Sequence, residues 1–458
     1  MSSNELDVLT LRAQLDGDLV MHGDSNWDTA RQAWQLSVDQ RPAAVVLAAS
    51  AGDVVAAVNA ARAVGLRVAA QGTGHNASPL GPLTDTVLIK TSGMRGIVID
   101  VDARIARVEA GALWADVTAA AAPYGLAGLA GSAADVGVVG YTLGGGLSWL
   151  GREHGLAANQ VTAADVVTAD GVLRRVDAVT EPDLFWAIRG GGGSFAVVTA
   201  LEFGLVEVGE LHGGTLFWPI ERAAEVLHAW REWTTTAPDE ITSLGRLLRF
   251  PPMEEIPEAV RGQSFVVVEL ASVLDATATD TALASLRALS PVMDSVHPCT
   301  TQELAEIHMD PPQPVPGTGD GFLLSSLPAE ALDAYLSVAG PDADFPLLSS
   351  EIRHLGGALV PQPATGGAVS GFEAAYAVFT ASITPVEAVV KATHLGLDAL
   401  SDVMRPWHAG TSYLNFAERT GGAPFAEPVA LDRLGRVKAQ YDPADTIRGN
   451  HPVPPLRS

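Results

Sequence analysis

EPDLFWAIRGGGGSFAVVT, residues 181–199, reads as a short helix that runs into four consecutive glycines, Gly190 to Gly193, and then into an apolar strand. That strand, SFAVVTALEFGLVEV, closes a first domain near residue 208. Glycine has no side chain, so such a run lets backbone N–H groups approach a ligand closely, as a pyrophosphate requires. A second glycine-dense region lies upstream, at Gly137, Gly140, Gly144, Gly145 and Gly146. Neither cluster is a G-x-G-x-x-G fingerprint, because Phe195 and Trp149 stand at the third position, and G-x-x-x-x-G-K-[ST] occurs nowhere. On their own, glycine clusters are more often turns and close packing than phosphate sites. GGSFA, residues 192–196, misses the nucleophile elbow G-x-S-x-G at Ala196, and a strand follows where that motif needs a helix.

Upstream, Ser50 precedes AGDVVAAVNAARAVGL, with Asp53 in the first turn and apolar residues at helical spacing. This predicts a capped helix leading into the strand LRVAAQ. VLIKTS, GIVIDVD and RIARVEAG read as strands, and ALWADVTAAAAPYG reads as a helix stopped by Gly125. VTAADVVTADGVLRRVDA is two β-rich runs joined at Asp170-Gly171, a hairpin signal. Downstream of residue 208, the strands TLFWPI, SFVVVEL, PLLSSEIRHL and AAYAVFTASI alternate with the amphipathic helices AAEVLHAWREW, TDTALASLRAL, AEALDAYLSV and VEAVVKATHLGLDAL. That pattern predicts an antiparallel sheet with helices on one face. From about residue 411 a tail carries a further strand, SYLNF, and the helix ALDRLGRVKAQYD.

The chain has 458 residues and 47% hydrophobic composition, enough for about two or three domains with a substantial core. Its 28 Lys+Arg against 53 Asp+Glu give a net charge of -25, which repels nucleic-acid backbones and anionic membranes. A single cysteine, Cys299, excludes an intrachain disulfide. The N-terminal MSSNELDVLTLRAQLDGD has neither the basic nor the apolar region of a secretory signal, and no clean apolar window reaches a membrane span. A cytoplasmic location is the expectation. The 11 histidines show no H-x-x-x-H or H-E-x-x-H spacing, so no metal site is expected.

One histidine, His75, sits inside a glycine turn, QGTGHN, residues 71–76, at the end of the strand LRVAAQ. It reads as an ordinary loop histidine, as a catalytic base, or as the attachment point of a cofactor, and spacing alone does not separate the three.

VLAASAGDVVAAVNAAR, QGTGHNASP, VGVVGYTLGGGLSWLGREHGLAAN, EPDLFWAIRGGGGSFAVVT, YLNF and YDPADTIRGNHPV stand in this order along the chain. Together they resemble the berberine-bridge-enzyme-like FAD-linked oxidases of the vanillyl-alcohol-oxidase superfamily, over residues 38–208 and 411–455. The resemblance implies an α+β fold: a two-subdomain PCMH-type FAD-binding domain over residues 38–208, after an N-terminal segment 1–37. A substrate domain, 209–410, with an antiparallel sheet covered by helices follows, and then a BBE-like segment, 411–458, that returns to the FAD domain. The cofactor implied is FAD with a single covalent link through His75. Gln71, Gly72, Thr73, Gly74 and Asn76 would form the pyrophosphate turn around it. Many relatives have arginine in place of Gln71, and Ala133 stands where a second, cysteinyl link is common. Val136 matches an aliphatic gate over the flavin, typical of oxygen-reactive members, and Tyr141 stands where some relatives have histidine. Gly137, Gly140, Gly145, Gly146 and Val198 fall in the matching glycine region and strand, and Tyr413 and Asn415 match the pair that returns from the tail to the flavin ring.

A flavin that oxidises a C–H bond takes a hydride at N5 while a base removes the neighbouring proton. Ser349, Glu351 and Arg353 share one strand face, and Glu351 lies where members with the run E-x-R-H-L-G-G place an acid in the substrate cavity. Glu418, just past YLNF, is a second acid, and Tyr413 is a third catalytic candidate. An acid next to Arg353 also fits a structural ion pair. The resemblance implies an oxidase that takes a hydride from an alcohol, sugar or secondary metabolite and passes electrons to O2, giving H2O2. The alternatives are a dehydrogenase with another acceptor, an oxygenating or cyclising enzyme, and a binding module with a vestigial flavin site.

Overall fold

Ser50 accepts a hydrogen bond from the Asp53 N–H at 3.2 Å and caps the helix Ala51–Val64, which stops at Gly65 with φ +76°. Its buried face, Val54, Ala57, Val58 and Ala61, packs on a four-stranded sheet ordered Asp18–Val20, Ala44–Leu47, Thr86–Lys90, Arg67–Gln71. The last three strands are parallel and the first is antiparallel to its neighbour. This computed structural model describes residues 6–456 apart from 253, 255, 257, 259 and 363, so the extreme ends of the first and last segments lie outside it.

A second sheet, wholly antiparallel, is ordered Ile97–Asp100, Ile105–Glu109, Val197–Gly204, Val161–Val167, Leu173–Asp177. The Asp170-Gly171 signal is the turn of its terminal hairpin, with Val167 opposite Leu173 and Gly171 at φ +74°. Helix Pro182–Ile188 then leads into the glycine run. Gly190 has φ +83°, and a Cβ there would lie 2.4 Å from Val369 O, so this glycine is demanded by packing.

The third sheet is also antiparallel: Met293–Asp294, His212–Pro219, Ser264–Ser272, Ile241–Arg249, Ser349–His354, Tyr376–Ile383, Gly317–Leu324. Leu247, Val266, Val268, Ile352 and Val378 point to one side, where they are buried among residues of the helices Ala223–Thr234, Ala276–Arg287, Ala329–Ala339 and Glu387–Met404. Burying each such side chain contributes about 1.5–3 kcal/mol, which fixes which face of each strand turns inward. The alternate residues Arg246, Glu351, Arg353 and Phe379 take the opposite face. The register sets Arg246 and Phe379 on either side of Glu351. Two of these strands, Ile241–Arg249 and Gly317–Leu324, carry weak sequence signals, and the second is interrupted by Gly317, Gly319 and Gly321.

The expected strand SYLNF is a turn. The N–H groups of Phe416 and Ala417 both donate to Tyr413 O at 3.0 Å, and the Asn415 side chain bonds back to Tyr141 O and Tyr413 Oη, each at 2.9 Å. Local hydrogen bonds therefore replace a strand ladder. The helix Pro428–Tyr441 follows, and its Lys438, fully buried, bonds Ser194 O, Ile447 O and Asp442 Oδ2 at 2.7, 2.7 and 2.6 Å. The first of those bonds ties the tail to the end of the glycine run, while Val68 N–H donates to Thr446 O and Arg448 N–H to Val68 O, both at 2.8 Å. Among the described residues, no helix is long and apolar enough to cross a membrane.

Candidate active site

The glycine turn sits where the parallel strand Arg67–Gln71 ends. Gly74 has φ +87°, and a Cβ there would come within 2.9 Å of Ala33 and Gln71, so only glycine fits. The N-terminal segment lies against this turn: Trp34 N–H donates to Thr73 O at 3.0 Å and Gln35 N–H to Gly74 O at 3.3 Å. The Trp34 indole stacks on the His75 imidazole with ring centroids 4.0 Å apart. Its Nε1–H donates to Asp135 Oδ2 at 2.6 Å, and the other Asp135 oxygen lies 3.2 Å from His75 Nε2. That last contact has the distance of an ion pair without hydrogen-bond geometry, so Nε2 is left without a hydrogen bond among the described residues. Burial pushes the Asp135 carboxyl up, but its contacts with His75 and Trp34 outweigh this and hold it below its ordinary range.

Behind the turn, buried Gln71 accepts from Lys90 Nζ at 2.7 Å and donates to Gln40 Oε1 at 3.0 Å. Lys90 also donates to Gln32 O at 2.8 Å, and burial lowers its pKa to about 8. The cationic charge that many relatives are expected to carry at position 71 is here one layer back, on the neighbouring strand.

These groups face a cavity of about 440 Å³ between the first two sheets, the third sheet and the tail. Gln71, Gly72, Thr73, Gly74, His75 and Asn76 line it, as do Ala133, Val136, Gly137, Gly140, Tyr141, Val198, Tyr413, Asn415 and Glu418. Gly192 and Gly193 of the glycine run also reach it. Gly145 and Gly146 stand behind the wall instead. A Cβ on Gly146 would lie 2.6 Å from the Tyr141 ring and 2.7 Å from Ala157, so that glycine makes room for protein. Tyr413 Oη accepts from Leu147 N–H and from Asn415 Nδ2, both at 2.9 Å. Burial pushes its pKa up to about 12, so at neutral pH it is a fixed hydroxyl and not a base.

The acids differ sharply. Glu351 does not line the cavity: it is fully buried, 2.7 Å from Arg353 Nε and 3.1 Å from His308 Nε2. Burial raises its pKa, but Arg353 and His308 outweigh this and hold it far below the usual carboxylate range. His308 Nδ1 lies 2.6 Å from Glu269 Oε2, and Arg246 Nη1 donates to Glu269 Oε1 at 3.0 Å. Burial and Arg246 disfavour charge on His308, yet the carboxylates of Glu269, Asp310 and Glu351 prevail and raise its pKa to about 9. Glu418, in contrast, is exposed only into the cavity, and its Oε2 accepts one hydrogen bond, from Gly319 N–H at 3.0 Å. Burial, opposed by that bond and helped by the charge of Asp320, raises it to about 7. Trp34, Lys90, Glu269, Arg246 and His308 have no sequence motif of their own. They become legible only once the strands are in register and the N-terminal segment is in place.

The residues present fit a flavin dinucleotide: a glycine turn and a second glycine run open on one cavity, beside an imidazole whose Nε2 has no hydrogen bond among the described residues. Among the described residues, no cluster of His, Cys, Asp and Glu could hold a metal ion. Residues 42–177 match the FAD binding domain family model. The FAD-linked oxidoreductase YgaK of Bacillus subtilis (strain 168) is 31% identical over 51% of this chain and 52% of its own length. The (R)-6-hydroxynicotine oxidase of Paenarthrobacter nicotinovorans is 33% identical over 42% of each chain. The chain thus spans about half the length of the curated relatives it matches. In structure it is similar to Physcomitrella patens BBE-like 1 wild-type, with TM-score 0.84 and 19% identity over 98% of this chain and 100% of that one. Residues 42–177 are thus an FAD-binding domain, and the chain as a whole has the fold of that BBE-like structure.

Proposed function

We propose that the protein is an FAD-dependent oxidase that holds its flavin covalently through His75, oxidises a small organic substrate of the alcohol, sugar or secondary-metabolite class, and returns the electrons to O2. The observation that carries this reading is the presence in the wall of one cavity of His75, in the glycine turn, and of Glu418, near neutrality. Bound FAD supplies a two-electron acceptor for hydride, which no side chain of the protein can replace.

The chain's own groups divide the remaining work. The N–H groups of the turn 71–76 and of Gly193 would hold the pyrophosphate, with Lys90 contributing charge from behind Gln71. Trp34 and Asp135 fix the imidazole plane and face its Nε2, which leaves Nδ1 as the nitrogen for the tether. Tyr413, pinned by Leu147 and Asn415, donates its remaining proton into the cavity. Glu418 takes the substrate proton at its free Oε1, since a base with a pKa of about 7 combines a populated anion with useful basicity at neutral pH. Glu351 serves instead to hold Arg353 and His308 in place. We take residues 38–208 with the tail 411–458 as the flavin-holding part and 209–410 as the part that shapes the substrate cavity. A cytoplasmic site of action agrees with an acidic chain that has one cysteine.

Stopped-flow reoxidation tests the oxidase reading. After reduction by substrate or dithionite, air should restore the oxidised flavin spectrum within the turnover time, with H2O2 formed in equal amount to the flavin reoxidised. Slow reoxidation by air with fast reoxidation by an artificial acceptor would make the protein a dehydrogenase. Labelled oxygen in the product would make it an oxygenase.

A further inference from the structure

The part of the cavity formed by the third sheet is layered by charge. The carboxylates Glu269 and Glu351 are fully buried and do not reach the cavity, whereas Arg246, His308 and Arg353, which they hold, stand in its wall. On that wall three cationic side chains meet one carboxylate, Asp310, which lies 3.8 Å from His308 Nε2. The other cavity carboxylates are placed elsewhere, Asp135 against His75 and Glu418 against Gly319.

Each guanidinium is held through Nε and one terminal nitrogen. Arg246 donates from Nε to Ser349 Oγ at 2.8 Å, and from Nη1 to Glu269 Oε1 and His308 O at 3.0 and 2.7 Å. Arg353 donates from Nε to Glu351 Oε1 at 2.7 Å, and its Nη2 lies 3.5 Å from Ser132 Oγ. Among the described residues, no hydrogen bond engages Arg246 Nη2 or Arg353 Nη1, and both side chains line the cavity. A guanidinium edge that opens on a largely enclosed cavity is matched best by a planar anion, which its fixed donors can engage in two bonds. Next to this edge the wall turns apolar: Arg353 lies over the Phe416 ring at 5.2 Å, and Phe416 packs on Phe379 with centroids 4.8 Å apart.

We propose that Arg246 and Arg353 form an anion subsite of the substrate cavity, and that the substrate is an organic acid whose carboxylate or comparably acidic group docks there with an aromatic or apolar body against Phe379 and Phe416. This deepens the oxidase reading and rests on it. Glu269 and Glu351, joined through His308, set the positions of the two guanidinium groups and are positioning residues.

The test is calorimetric titration of the purified holoenzyme with benzoate, and with benzamide and benzyl alcohol as neutral probes of the same shape. Benzoate is expected to bind at least about tenfold more tightly than either neutral probe, an advantage that shrinks as salt is raised. The preference should vanish in Arg353→Met/Glu351→Gln, a pair that removes both charges together and leaves His308 paired with Glu269, and weaken in Arg246→Lys. Equal binding of benzoate and benzamide by the wild type would overturn the subsite, as would a benzoate preference that survives the double substitution. Tighter binding of a neutral sugar such as cellobiose would overturn it in favour of a polyol site. The flavin spectrum of the same sample reports separately on the oxidase reading: a yellow protein with no benzoate preference keeps that reading and loses the subsite. A colourless protein that prefers benzoate keeps the subsite and loses the reading.

Discussion

The indole of Trp34 lies flat on the imidazole of His75, ring centroids 4.0 Å and planes 19° apart, and holds Asp135 through an N–H bond of 2.6 Å. A residue from the N-terminal segment therefore orients the histidine of a turn forty residues later in the sequence. Such aromatic pairs contribute about 0.5–1.5 kcal/mol beyond the area they bury. Trp34→Ala is expected to lower the unfolding free energy by about 1–3 kcal/mol and to leave a fraction of the protein without covalent flavin. Trp34→Phe keeps the stack but loses the bond to Asp135, and should fall between. Denaturant melts, together with flavin retained after acid precipitation, measure both effects.

Glu418 supplies a pH dependence with a definite sign. Its folded pKa of about 7 is raised from the ordinary 4.5, and the proposed base is the ionised form, so kcat/KM should rise with pH through about 7. Glu418→Gln should lose about 10²–10⁴ in rate and, with it, this ascending limb. The stability effect runs the other way. A raised folded pKa means that the folded state binds the proton more tightly, so this stabilisation is full below pH 4.5 and is lost as the pH rises through about 7. Thermal melts of Glu418→Gln should change less than those of the wild type across that window. A profile that keeps its ascending limb in Glu418→Gln would remove this residue from the role of base.

Glu351→Gln separates the two acids. Because Glu351 is ion-paired with Arg353 and His308, its loss should cost about 3–5 kcal/mol of stability through stranded buried cations. The ascending limb near pH 7 should persist at a lower rate. Were the limb to disappear in Glu351→Gln and survive in Glu418→Gln, the assignment of base and positioning acid would be reversed.

Lys438 ties the tail to the glycine run through its bond to Ser194 O, braces the tail through Asp442 and Ile447, and carries no expected chemistry. Lys438→Met strands the buried carboxylate of Asp442 and should cost about 3–5 kcal/mol. Limited proteolysis should then cut the tail before the rest of the chain unfolds, with the tethered flavin exposed to solvent as Tyr413 and Asn415 leave the cavity.

The local order of helices and strands was readable from the sequence wherever caps and periodicity agreed, as at Ser50 and Gly65 or at Asp170-Gly171. Tyr413–Phe416 misled, because an apolar run with an asparagine suits a strand as well as a turn. The bonds that decide between them run to Tyr141 and to the Tyr413 hydroxyl. The glycine run was ambiguous for a similar reason: packing against Val369 demands Gly190, while Gly192 and Gly193 open on the cavity, and no pattern in the sequence divides them. The acids 351 and 418 were visible as candidates. Their different environments depend on Glu269, His308 and Gly319, which only the register of the third sheet and the turn after Tyr413 bring alongside.

The most direct test of the account is the intact mass of the acid-denatured protein, read together with its absorbance. The account predicts a yellow protein heavier by one FAD, with the addition mapping to the peptide that contains His75 and absent in His75→Ala. A colourless precipitate of unmodified mass, or an addition mapping to any other residue, would contradict it.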